Sequence, residues 1–450
     1  MLDSINRVAL IALIAFALLA GALGFWAASG ATLTAREDNP RRIFAEQRTR
    51  RGSILDRDGE AIVVTTGEPG AYTRSTLYPD AAPVVGYYSI NYGASGVEQA
   101  FDSTLRGTLG VDPLRAHLDA LMHVQPAGRD VQTTLDLDVQ RVGDALLAGR
   151  TGVIVVLSAP DGDVLALASH PTFDPNALDQ NWDRLRADPA SPLLNRATQG
   201  EYQPGTALQP IILAEALRRG IAALDDAPEA PAAPFAIDSR SLTCRAADGV
   251  RTLSDAFRFA CPAPFADLGA ALGSDALSSV VSTWSLTRTD TSLLEIGGRA
   301  PVTRVVLLTD TRALREFAVG QGELTVSPLH MALVASALAS RGSLPSPRII
   351  SATESVDGVW HSVERTEPRR IAPAGVVQQV VSAMAHDGDV AGHAGTGLSG
   401  RSELHWFIGF TPVDAPKYAV AVLIEDAEGR LASEQEALEI GLKLLDALPH

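Results

Sequence analysis

The chain has 450 residues, 46% hydrophobic and 20% charged, with 37 Lys plus Arg against 53 Asp plus Glu and a formal net charge of −16. That apolar content excludes a largely disordered polymer, and the acidic balance argues against a protein that tracks nucleic-acid phosphates, so no nucleic-acid partner is expected. The length allows two or three domains.

Only Lys417 and Lys443 are lysines, so nearly all positive charge is arginine. A guanidinium does not give up its proton near neutral pH, which leaves two candidates for any chemistry that needs a neutral amine.

From Val8 to Ala28 the chain runs VALIALIAFALLAGALGFWAA, without a charge. That is enough helix to cross the ~30 Å of a bilayer core. We read residues 1–7 as a cytoplasmic tail and 8–28 as a signal anchor. Ala20-Gly21-Ala22 also has the form of a cleavage site, which keeps a removed signal peptide open. Arg36, Arg41 and Arg42 follow the span and only Arg7 precedes it, so the local charge rule points the larger part inward. The two cysteines argue for the opposite orientation: an even count in an exported domain favours one disulfide, Cys244 to Cys261, with two buried thiols as the alternative.

Residues 29–150 read as a linker and a small N-terminal pedestal domain. The Arg-rich stretch from Arg36 to Arg57 has the look of a solvated face. Asp58-Gly59 makes a turn before a β-branched strand, Pro69 to Leu109 reads as loops and short elements, and DVQTTLDLDVQR (130–141) passes from strand to helix.

Residues 151–450 read as a larger domain. It opens with a hairpin, Gly152–Leu157 and Val164–Ala168 about Pro160-Asp161-Gly162, and has a second strand pair, Trp406–Phe410 and Tyr418–Ile424, near its end. Helices lie between, and a last one starts at a capping box, Ser433 and Glu436, and runs through Leu448. Strands at both ends with helices in the middle imply an α+β domain, an antiparallel sheet covered by helices. No CxxC, HExxH or clustered His/Cys spacing suggests a metal, and no cofactor is expected.

Several blocks then resemble class B penicillin-binding proteins, in that family's order: RRGSILDRDG (50–59), SGVEQAFD (95–102), PLLNRATQGEYQPGTALQP (192–210), GQGELTVSPLHMA (320–332), VAGHAGTG (390–397) and HWFIGFTP (405–412). The likeness spans nearly the whole chain and is close to the elongation- or division-linked transpeptidases. It implies a serine transpeptidase fold that cross-links peptidoglycan stem peptides and is acylated by β-lactams through SxxK, SxN and K[ST]G motifs. In those motifs a serine attacks a carbonyl, a lysine one turn on takes its proton, a second serine relays it, and the third motif's lysine and strand hold the substrate.

At the matching positions this sequence reads differently. The first motif is Thr206-Ala207-Leu208-Gln209, with an amide where the base belongs. The second reads Ala260-Cys261-Pro262, with neither hydroxyl nor amide and one backbone donor removed. The third is His393-Ala394-Gly395-Thr396, which keeps Gly and Thr but replaces the cation by a histidine. Neither lysine completes an SxxK or starts a K[ST]G, and no G-x-S-x-G elbow occurs.

The expectation is therefore a pseudo-transpeptidase of cell-wall biogenesis, anchored in the bacterial membrane with its large domain extracytoplasmic. It would partner the cell-wall synthesis machinery and accept a stem peptide or β-lactam without bonding to it. The alternative is a divergent D,D-transpeptidase or carboxypeptidase with Thr206 as nucleophile. His393, best placed of His170, His386, His393 and His405, would then be a substitute base. Locally, Thr206 also fits as the N-cap of a helix from Ala207 to Arg219 that stops at Gly220.

Overall fold

A computed structural model describes residues 2–34, 47–122, 124, 126–286, 308, 310–426 and 434–449. Helix α1 (Leu2–Thr34) carries an apolar stretch, Asn6–Trp26, of mean hydropathy 2.7 with no part buried against protein. It is long and apolar enough to cross a membrane once. Arg36, Arg41 and Arg42 lie outside the described residues.

The pedestal is built on a six-stranded sheet that contains β1 (Ile54–Leu55), β2 (Ala61–Thr66), β3 (Thr73–Thr76) and β4 (Val131–Thr133). The expected turn before β2 is present, with Gly59 at φ +87° where a left-handed residue is needed. The reading of the Arg-rich stretch as a solvated face fails at Arg51. Its guanidinium is buried and paired with Glu98 at 2.8 Å and Asp102 at 2.6 Å, both from the SGVEQAFD block. Arg74 reaches the other oxygen of Glu98 at 2.6 Å, so the buried carboxylate is held from both sides. Those two carboxylates, 47 and 51 residues away, are what draw Arg51 inward.

From β4 the chain enters helix α2 (Leu137–Leu147), capped by Asp136, whose side chain accepts from the N–H groups of Asp138 and Val139. The second sheet follows with β5 (Gly152–Ser158) and β6 (Val164–His170). After these come helices α3 (Gln209–Arg219), α4 (Leu253–Arg258), α5 (Pro262–Thr283) and α6 (Pro328–Ala339). Strands β7 (Ile350–Glu354) and β8 (Trp360–Ser362) then return to the pedestal sheet, β7 pairing with β4, so that sheet is completed from a segment over 200 residues downstream. The chain ends with β9 (Ala385–Asp387), β10 (Val390–Ser399), β11 (Ser402–Thr411), β12 (Tyr418–Asp426) and helix α7 (Glu434–Ala447).

The second sheet runs β9-β10-β11-β12-β5-β6, antiparallel throughout, as the sequence pattern implied. Strands from the two ends of the domain meet at its centre, where Val422 lies opposite Ile154. Strand β5 is apolar at successive positions because both its faces are covered. Val153, Val155 and Leu157 join the cluster that holds Met331 and Leu338 of α6, while Ile154 and Val156 join Val139 of α2 and Leu444 of α7. Helix α6 is buried on every side, which is why PLHMALVASALA shows no polar face. The proposed cap Ser433 lies outside the described residues, and Glu436 accepts from Arg150.

Candidate functional site

Thr206 sits on a 3-10 turn, Gly205–Leu208, that runs directly into α3. The N-cap reading of Thr206 is overturned: the α-helix starts only at Gln209, and neither its cap nor that of the turn makes a side-chain hydrogen bond. The hydroxyl is taken elsewhere, since Thr206 Oγ1 accepts from the Thr396 backbone N–H of β10 at 3.0 Å. Gly220, at φ +66°, closes α3 where the sequence placed its end.

Strand β10 reaches the turn because glycines let it. A Cβ on Gly395 would stand 2.3 Å from Ala207 N and 2.8 Å from Thr206 Oγ1. Gly205 has φ +56°, and a Cβ there would meet Thr396 O at 2.0 Å. The same surface continues through Trp406 of β11, whose indole N–H donates to Gln203 O at 3.1 Å.

Gln209 follows one turn after Thr206 and is fully buried. Its Nε2 donates to the Cys261 carbonyl at 2.9 Å, while its Oε1 has no hydrogen-bond partner. Segment 260–262 therefore does come to the site, as the sequence order required. Ala260 takes a left-handed φ of +54°, and Cys261 precedes α5 and is joined to Cys244 by a disulfide. Pro262 occupies the first turn of α5, where its missing N–H would have had no intrahelical acceptor, so the lost donor costs the fold little.

His393 lies beside the turn, 2% exposed, but it addresses the Thr206 backbone rather than the hydroxyl. Its Nε2 donates to Thr206 O at 3.1 Å, and its ring stacks on Phe257 of α4 with centroids 4.5 Å apart and planes 9° from parallel. Burial pushes the imidazole down from 6.5 to about 4, so it is neutral at pH 7. A neutral ring whose Nε2 proton is held by a carbonyl is not a base for Thr206 Oγ1. The other histidines weighed from sequence bond elsewhere: His170 to Asp144, His386 to Val381 O, and His405 Nδ1 to Thr396 Oγ1 at 3.4 Å. The sequence reading missed Phe257, although an aromatic residue ahead of Ala260 was there to see.

Thr206, Gln209, Ala260, Cys261, His393, Gly395 and Thr396 thus converge from three separated stretches of chain. Both lysines are exposed, at the head of β12 and on α7, and neither enters this cluster. Among the described residues no group of His, Cys, Asp or Glu is arranged to hold a metal.

Residues 152–445 match the penicillin-binding protein transpeptidase domain model, and residues 51–131 match the penicillin-binding protein A dimerisation domain model. This chain belongs to the penicillin-binding protein transpeptidase family. Among curated members it is 30% identical to the peptidoglycan D,D-transpeptidase PbpA of Mycolicibacterium smegmatis, across 97% of this chain and 96% of that one. It is also 30% identical to the PbpA of Mycobacterium tuberculosis, across 92% of each. The crystal structure of the M. tuberculosis penicillin-binding protein superposes with a TM-score of 0.76 at 29% identity, covering 88% of this chain and 99% of that one. Its ceftriaxone acyl-enzyme complex superposes with a TM-score of 0.78 at 28% identity, covering 90% and 99%. These transpeptidase relatives include an enzyme acylated by a β-lactam, which frames the question of what the Thr206 cluster does.

Proposed function

We propose that this chain is a membrane-anchored penicillin-binding protein homologue of peptidoglycan synthesis that keeps the transpeptidase fold without acyl transfer. It serves as a scaffold or binding partner in the cell-wall synthesis machinery, with its large domain on the extracytoplasmic side. In this reading all three catalytic motifs have degenerated together: Thr206 and Gln209 stand in the first, Ala260 and Pro262 in the second, and His393 ahead of Gly395 and Thr396 in the third. The chain divides into a tail (1–7), an anchor (8–28), a linker with pedestal (29–150) and a transpeptidase-like domain (151–450).

One observation carries the reading. The side chain one turn beyond Thr206 is an amide with its nitrogen committed to Cys261 O, and the Thr206 hydroxyl is itself engaged by Thr396 N–H. An amide does not accept a proton near neutral pH, so an attacking hydroxyl has nowhere to send its own. Losing a nucleophile-base unit typically costs on the order of 10⁴ to 10⁶ in kcat. Strand β9 pairs with β10 only as far as Gly392, and the use of Thr396 N–H by Thr206 removes a donor that a peptide could otherwise meet by strand addition beyond it.

The second reading is a divergent D,D-transpeptidase or carboxypeptidase with Thr206 as nucleophile. It is favoured by the acyl-enzyme complexes of a relative 28% identical to this chain. A fluorescent penicillin incubated with the full-length protein in detergent separates the two. The expected outcome is no label after denaturing electrophoresis. A label that survives denaturation and disappears in Thr206→Ala overturns the scaffold reading.

A further inference from the structure

Helix α3 begins at Gln209, beside the Thr206 turn, and its other half borders a separate cleft of about 280 Å³. That volume lies just below the roughly 300–1,000 Å³ of pockets that hold drug-sized ligands, so an occupant is small. The cleft lies between the C-terminal halves of α3 and α5 and is closed by Ile371 and Ala372. Its walls are apolar at Ala214, Val280 and Trp284, all buried.

The polar groups of the cleft are donors with few acceptors left over. Among the described lining residues Glu215 is the one carboxylate, and both its oxygens are spent. Its Oε1 accepts from Arg218 Nη2 at 2.7 Å and Arg219 Nε at 2.6 Å, and its Oε2 accepts from Arg218 Nε at 2.8 Å. Two guanidinium charges therefore meet one carboxylate, and Arg218 keeps its Nη1 without a protein partner among the described residues. The helix ends, which ordinarily leave carbonyls open, do not supply acceptors either. Gly220 N–H takes Ala216 O and Leu217 O, Trp284 N–H takes Val280 O and Ser282 O, and Arg369 Nη2 donates to Thr283 O at 2.8 Å. Trp284 is 4% exposed, yet its indole N–H has no hydrogen-bond partner among the described residues. A donor on so buried a residue is costly to leave unmet.

We infer that this cleft is a binding site for a small monocarboxylate with an apolar body. The carboxylate accepts from Arg218 Nη1 and Trp284 Nε1, and the body packs on Val280 and Ile371. One surplus positive charge suits a monoanion. The site is at the far end of α3 from Gln209, and the inference is independent of whether Thr206 can be acylated.

The test uses the full-length chain in nanodiscs, with 3-phenylpropanoate as the probe and its amide, 3-phenylpropanamide, as the uncharged match. Calorimetric titration against empty nanodiscs should show saturable binding of the acid with a dissociation constant on the order of 1 mM, as about eleven non-hydrogen atoms allow. The amide should bind about tenfold more weakly, because it brings no charge to Arg218. Arg218→Met, which leaves Arg219 on Glu215, and Trp284→Phe, which keeps an aromatic wall without the N–H, should each weaken the acid by roughly threefold or more. In the unaltered chain, bound acid should slow amide hydrogen exchange in residues 213–219 and 277–284. No saturable binding of the acid well above that constant, equal binding of acid and amide, or exchange protection confined to other parts of the chain would overturn the inference. So would unchanged binding in both variants with their thermal transitions in place.

Discussion

Acid should loosen the Thr206 cluster, and His393 sets how much. Its ring is 2% exposed, stacked on Phe257, and donates to Thr206 O. Burial holds it near 4, with the Arg245 charge acting in the same direction and the hydrogen bond to Thr206 O opposing. In the unfolded chain it returns to about 6.5. Between those values the unfolded state binds a proton that the folded state does not, so stability rises with pH across this window and is lost as pH falls through it. The full drop corresponds to roughly 3 kcal/mol, of which about 2 kcal/mol is gone by pH 5. His393→Gln keeps a donor for Thr206 O and removes the titration. It should cost about 1–3 kcal/mol at pH 7.5 through the lost stack and imperfect hydrogen bond. The stability gap between wild type and variant, from urea unfolding, should then shrink by about 2 kcal/mol at pH 5. Other titrating groups cancel in that difference. A gap equal at both pH values, or one that widens in acid, would refute the placement of a neutral His393 against the turn.

Gly395→Ala places a methyl carbon 2.3 Å from Ala207 N, against backbone that has little room to yield. Overpacking of this kind costs about 1–3 kcal/mol or more, and a lowered thermal transition with intact far-ultraviolet dichroism should report it. The double variant Thr206→Ser, Gln209→Lys should remain unlabelled by fluorescent penicillin, because Ala260 offers no hydroxyl and His393 no charge; stoichiometric labelling would contradict that account. Reduction of Cys244–Cys261 should raise the intact mass by about two hydrogens. It should also lower stability by about 3 kcal/mol in the chain-entropy model for a loop of this length, read from unfolding with and without reductant.

Much of the architecture was legible because it rests on local patterns. The two strand pairs, the turn at Asp58-Gly59 and the stop at Gly220 follow from alternation, turn chemistry and a left-handed cap, each readable within a few residues. Thr206, Gln209, Cys261 and His393, singled out by spacing and order, are gathered in one place by the structure. Arg51 was misread as solvated because its carboxylates stand 47 and 51 residues away, beyond any local window. Thr206 was misread as a cap for the same reason: its partner is 190 residues downstream.

The sequence by itself determined the inventory: one apolar span, two cysteines, and only two lysines, Lys417 and Lys443. Composition cannot be altered by folding, so those statements hold whatever the chain does in space. Only the tertiary structure decided what each group faces. It turned His393 toward a carbonyl instead of a hydroxyl, gave the Thr206 oxygen to a strand N–H, and completed the pedestal sheet with β7 and β8. Hydrogen bonds and burial depend on neighbours in space, and here those of Thr206 stand 187 and 190 residues away along the chain.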